Sequence, residues 1–221
     1  MLKRIFLIIL FGSFLICCHQ KPSAVVKDIE VTNEQTPYWM QFIILELGKI
    51  ADSTFNDSKD LNSILSFKII DTKGTVKPVS MEKAIKLYYS NTKNNSPLVY
   101  PIFEIKNSSK VILPVFGKGL WDKIWAKVVV YKKTFKVLQI EFDHKGETPG
   151  FGANISEPEF KSQFIGSILN LNQASYSLYK NYERLIKGDS KIDAISGATI
   201  TSMGAIEMLN KGLLKYKVYL H

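Results

Sequence analysis

Asp193-Ala194-Ile195-Ser196-Gly197-Ala198-Thr199-Ile200-Thr201-Ser202 is a run of small residues that stops where an apolar helical pattern starts. Gly197 and Ala198 leave room for a bulky group beside the backbone. The first amides of a helix lack partners within it, and the positive end of the helix dipole lies there, so a phosphate is favoured. Thr199 offers a hydroxyl at the same point. Two readings follow. The segment is a phosphate-binding helix start with a hydroxyl available for bonding, or it is an ordinary cap made by Thr199, Thr201 or Ser202.

Two further segments carry candidate chemistry. Gly117-Lys118-Gly119-Leu120-Trp121 separates two apolar runs, and His144-Lys145-Gly146-Glu147-Thr148-Pro149-Gly150-Phe151-Gly152-Ala153 follows a later one. On its residues alone the second is a glycine-rich loop that either lines a ligand or simply connects elements. Trp121 is either a ligand contact or a core residue. The histidines are His19, His144 and His221, so a multi-histidine metal site would need two residues from the chain ends, and no metal site is expected. The cysteines are Cys17 and Cys18. Beyond them no internal disulfide, thiolate-bound zinc or iron–sulfur site, or cysteinyl flavin can form.

Asp193-x-x-Ser196-Gly197-Ala198-Thr199 resembles the flavinylation motif of the FMN-binding domain family. The order of the three segments, with Tyr100-Pro101-Ile102-Phe103 and the run from Val111 to Phe116, is similar to the C subunit of sodium-translocating NADH:quinone reductases over roughly residues 98 to 215. The G subunit of Rnf-type complexes shares the threonine motif and a similar Glu-Thr-Pro-Gly loop, whereas Gly119-Leu120-Trp121 favours the C subunit. The resemblance implies FMN held covalently by a phosphoester to Thr199, attached by a separate flavin transferase. Ser196, Gly197, Ala198 and Asp193 would belong to the attachment site. Glu147, Thr148, Gly150, Phe151 and Gly152 would line the ring or ribityl chain, and Trp121 would pack beside it. The family usually has leucine where Phe151 stands and an acidic residue where Asn154 stands. The implied role is an electron relay, not catalytic alone, beside membrane subunits of a quinone reductase-type complex or another redox protein, with sodium transport left open. Two alternatives are a lipoprotein flavin domain in another, Rnf-like chain, and a non-redox binding lipoprotein that has lost its flavin.

Positioning such a site requires a scaffold. Leu98 to Ile105, Val111 to Phe116, Ile124 to Tyr131 and Phe135 to Phe142 are rich in Val, Ile and aromatic residues and are punctuated by turn residues, which predicts a β meander. Ile200, Met203, Ile206, Leu209, Leu213 and Leu214 recur at helical spacing and predict a helix over 200–216 with that stripe buried. Helices are also expected over 38–51, over 81–89 with Ser80 as cap, and over 157–171. Residues 65–71 suit a strand and 52–63 a loop. The fold class is α+β: an antiparallel or mixed sheet flanked by helices, with an FMN-binding domain like that of the reductase C subunit as the resemblance implies.

The amino terminus reads as a targeting signal. Lys3 and Arg4 precede 14 uncharged residues, Ile5 to Cys18. As a helix these would span roughly 21 Å, against a hydrocarbon core of about 30 Å. That length suits a signal peptide. Leu15-Ile16-Cys17-Cys18 approximates a lipoprotein cleavage box, with Cys18 carrying the lipid; a short uncleaved anchor and a soluble secreted form are the other readings. The first two put the domain at a membrane, on its extracytoplasmic, periplasmic face. The resulting division is 1–17 leader, 18–36 tether, 37–97 N-terminal helical or variable region and 98–221 FMN-binding domain. The formal charge of +9 could favour lipid headgroups, a phosphorylated ligand or nucleic acid, but the positive charges are scattered, and no nucleic-acid partner is expected.

Overall fold

The computed structural model describes residues 36–94, 97–179 and 190–221. The leader, Cys18 and the tether up to residue 35 lie outside the described residues. Thr36–His221 forms a compact unit. Among its described residues no helix is long and apolar enough to cross a membrane.

The β-branched runs form the expected meander. Strands β1 (Leu65–Asp71), β2 (Val76–Pro78), β3 (Val99–Ile105), β4 (Lys110–Lys118), β5 (Lys123–Tyr131) and β6 (Lys136–His144) make one antiparallel sheet in the order β2-β1-β3-β4-β5-β6. β1 pairs with β3 along its whole length, from Leu65 opposite Ile105 to Asp71 opposite Val99. The boundary drawn from sequence at 97/98 therefore falls inside one sheet. Asn107 takes a positive φ of 55° in the β3–β4 turn, which its short polar side chain tolerates.

Alternation along β5 sends its residues to two cores. Ile124, Ala126, Val128 and Val130 face one apolar cluster, which includes Ala205, Met208, Leu209 and Leu213 of helix α5 (Thr199–Leu214). Val129 and the partly buried Trp125 face the other, built on α1 (Tyr38–Ala51), α2 (Leu61–Ile64) and α3 (Met81–Asn91). Each fully buried Leu or Ile contributes roughly 1.5–3 kcal/mol, so both layers hold the sheet firmly. Ser80 caps α3, its Oγ accepting the Lys83 amide at 3.2 Å. α2 is a turn of helix at the end of the stretch expected to be a loop, started by Asp60, which accepts the Asn62 amide at 2.9 Å.

The helix expected over 157–171 does not form. A 3₁₀ turn (Gly152–Ser156) leads into α4, which covers just Pro158–Ser162. Gly166, at φ +87°, turns the chain away, and its amide donates to the Val137 carbonyl at 2.8 Å. Leu169 donates to Phe135 at 3.0 Å, so this stretch lies along the edge of β6. Phe160 and Phe164 join an aromatic cluster with Phe142 and Tyr176. β7 (Tyr176–Leu178) and β8 (Ser190–Ile192) pair in parallel and lead into the motif before α5. α5 ends at Leu214, two residues short of the expected end, and α6 (Lys217–Leu220) follows the buried Tyr216.

Candidate functional site

The start of α5 has no side-chain cap. Ala198 occupies the cap position, and no carboxylate sits in the first turn. The hydroxyls expected to cap it act elsewhere. Ser202 Oγ accepts the Ile195 amide and donates to the Ala198 carbonyl, both at 3.0 Å. This closes the small-residue turn on itself. Thr201 Oγ1 donates to Glu147 Oε2 at 2.6 Å. Thr199 is exposed, and its hydroxyl makes no hydrogen bond among the described residues. An uncapped first turn beside a free hydroxyl is an electropositive point with a nucleophile attached.

Glu147 joins the three segments singled out in the sequence. Its Oε1 accepts the backbone amides of Trp121 at 2.9 Å and Asp122 at 3.3 Å, while its Oε2 takes the Thr201 hydroxyl. A side chain at Gly119 or Gly152 would collide with this carboxylate. Burial alone would raise its pKa. Hydrogen bonds from Thr201 and from the amides of Trp121, Asp122 and Leu120 outweigh that and hold it below the usual glutamate range. Glu147, which the family resemblance places at the ligand, is 4% exposed, and its carboxylate is occupied by the protein's own donors. His144, at the start of this loop, accepts the Glu147 amide through Nδ1 at 3.3 Å and shapes the turn.

Around Thr199 the surface is apolar. Trp121 is 66% exposed, Phe151 51%, Ile200 58% and Met203 51%, and Leu120 is exposed as well. Solvated aromatic and aliphatic side chains from three segments at one place mark a ligand or partner surface. Trp121 is therefore not a core tryptophan. Phe151 lies against the motif itself: a Cβ on Gly197 would sit 2.8 Å from Phe151 Cδ1, and Gly197 has a φ of +72°. Both facts require glycine there. Ser196, Thr148 and Gly150 are exposed near this surface, whereas Ala198 and Gly152 are buried beneath it. Asp193 is held from the side, its amide donating to Gln163 Oε1 at 2.7 Å.

Ile200, Met203 and Leu214 depart from the expected buried stripe. At about 100° per residue, the buried face of α5 centres near Ala205 and Leu209. Ile200, Met203 and Leu214 fall on the opposite side, with Glu207 and Lys211. Apolar residues sharing a face with charged ones were the available signal of a functional surface.

Residues 119–214 match the family model of the FMN-binding domain. The chain is homologous to the C subunit of the Na(+)-translocating NADH-quinone reductase. It is 34% identical to that subunit of Vibrio alginolyticus over 116 residues, 50% of this chain and 43% of the relative. It thus spans under half the length of that relative. With the subunit of Vibrio parahaemolyticus it is 28% identical over 191 residues, 81% of this chain and 70% of that one. The crystal structure of the subunit from Parabacteroides distasonis superposes with a TM-score of 0.63 at 25% identity, covering 82% of this chain and 92% of that one. Shewanella oneidensis NqrC, at 20% identity and a TM-score of 0.62 over 82% and 96%, shares the fold.

The residues present fit the ligand class. FMN carries a phosphate and a flat aromatic ring. The uncapped, carboxylate-free helix start suits the phosphate, and the exposed face of Trp121, Phe151 and Met203 suits the ring.

Proposed function

We propose that this protein is a membrane-anchored, extracytoplasmic electron-relay subunit whose FMN is bonded through its phosphate to Thr199 Oγ1. One observation carries the reading: a solvent-facing threonine hydroxyl without a hydrogen-bond partner among the described residues stands at an uncapped helix start ringed by exposed apolar side chains. The first-turn amides and helix dipole of α5 balance the phosphate charge. The Ser202 hydroxyl holds the turn, and Glu147 fixes the loop carrying Trp121 against α5. Phe151 and Trp121 shield the ring from water and shape its edge. Bound FMN supplies reversible electron uptake and release, and the chain's contribution is to set which redox state is favoured. The phosphoester keeps the flavin from diffusing away. Homology to the reductase C subunit supports the relay role beside other membrane subunits, and the leader running up to Cys18 supports lipid anchoring.

The test is co-expression with a flavin transferase in a bacterial periplasm, followed by denaturation, in-gel fluorescence and intact mass. The expected gain is FMN less one water, absent in Thr199→Ala. A colourless wild-type protein of unmodified mass refutes the assignment.

A further inference from the structure

On the sheet face opposite α5, helices α1 and α3 and the ends of β5 and β6 enclose a cleft of about 740 Å³. Its walls are aromatic: Tyr38, Trp39, Phe42, Tyr89 and Trp125. Trp39 and Tyr89 stack with ring centroids 4.2 Å apart and planes 14° off parallel, while Phe42 is 57% exposed. The volume lies within the range of about 300–1,000 Å³ typical of small-molecule sites.

The most deeply buried lining residue is Tyr88, at 2% exposure. Its oxygen accepts hydrogen bonds from Lys127 Nζ at 3.4 Å and from the Trp125 side chain, and Lys127 is itself buried and ion-paired with Glu46. Among the described residues nothing accepts the Tyr88 hydroxyl proton. A buried donor left without an acceptor is costly, so a cleft beside it suits a molecule that brings one. Desolvation first, then the charges of Glu46 and Asp143, raise the phenol pKa well above its ordinary value, so the hydroxyl keeps its proton.

Charge at the rim completes the picture. Glu46 is neutralised by Lys127, Lys145 pairs with Asp122 at 3.0 Å, and Lys93 lies 3.7 Å from the centre of the Tyr89 ring. The Lys123 ammonium makes no hydrogen bond or ion pair within 4 Å among the described residues, although its charge helps to lower the Asp122 pKa, and Asp143 adds a carboxylate to the lining.

We propose that this cleft binds a small planar aromatic acid, its ring against Trp39, Phe42 and Trp125, an acceptor oxygen on the Tyr88 hydroxyl and its negative charge balanced by Lys123. The site is independent of the flavin assignment, because it lies across the sheet from Thr199.

The probe is 2-naphthoate, titrated into the full chain and followed by saturation-transfer NMR and tryptophan fluorescence. Saturable one-to-one binding is expected. Tyr88→Phe and Lys123→Gln each weaken it roughly fivefold, the loss of one hydrogen bond or exposed charge contact. Phe42→Ser weakens it as well, and Thr199→Ala leaves it unchanged. Lys123 and Phe42 stand at the surface, so their variants remain informative if Tyr88→Phe folds poorly. No saturable binding to folded wild type, or binding indifferent to both Lys123→Gln and Phe42→Ser, overturns the proposal. So does a dimer abolished by Phe42→Ser with no probe bound, which would give the cleft to a second copy.

Discussion

Glu147 Oε2 receives the hydroxyl of Thr201 at 2.6 Å, across 54 residues of chain. The other oxygen of the same carboxylate holds the amide of Trp121. One buried side chain thus fixes both the loop that presents Trp121 and the helix that presents Thr199.

Glu147→Gln removes one oxygen and turns an N–H₂ group toward a donor. The expected loss is about 1–3 kcal/mol, at about 2–4 °C of Tm per kcal/mol for a chain this size. Thermal unfolding followed by circular dichroism measures it. The Thr199 site should suffer as well, with less flavin attached per folded molecule. An unchanged Tm with full flavin loading would remove Glu147 from this role.

Acid has a related effect with a definite sign. The folded protein holds Glu147 below its ordinary pKa, so its stabilising contribution is present above the unfolded-state value of about 4.3 and disappears as pH falls through the folded one. The Tm advantage of wild type over Glu147→Gln should therefore be constant near neutrality and shrink as pH drops below about 4. A gap that widens in acid contradicts the sign.

Gly204 offers a test of helix packing. In an exposed helix, Gly→Ala stabilises by about 1 kcal/mol. Here the new methyl would run into the Lys118 carbonyl, a backbone atom that cannot swing aside. Overpacking of this kind costs roughly 1–3 kcal/mol, so Gly204→Ala should lower the Tm and loosen the Gly117–Trp121 segment. A rise in Tm would mean that α5 does not approach β4 this closely.

Anchoring is tested by Cys18→Ser. If a lipid on Cys18 holds the protein, the variant should leave the membrane fraction on cell fractionation or accumulate as a precursor. Unchanged retention with an intact leader would assign anchoring to a short apolar helix.

How much of this was legible beforehand depended on whether the signal was local. The β-branched runs from Val99 to Phe142 announced their strands because each alternates between two apolar layers. The Ser196–Thr199 turn, read on its residues, left a phosphate site and a plain helix cap both open, and the family resemblance singled out the site. The pinning role of Glu147 was not legible, because its partners Trp121 and Thr201 lie 26 and 54 residues away. The extent of the helix expected over 157–171 was not legible, because Phe160 and Phe164 pack against Phe142 and Tyr176 from distant segments. The pairing of β1 with β3 was hidden by the helix and linker between them. On α5, the charged neighbours Glu207 and Lys211 distinguished the outer face from the inner one.

The distance along the chain between Glu147 and Thr201 also sets an order of events. Synthesis delivers the β meander before α5, and contacts between distant segments form late because loop closure costs entropy. On the proposed function, the threonine that takes the flavin would reach a finished scaffold only once the sheet and the loop carrying Glu147 have already arrived. A product truncated before α5 lacks that hydroxyl, so flavin loading would double as a check that synthesis has passed this helix.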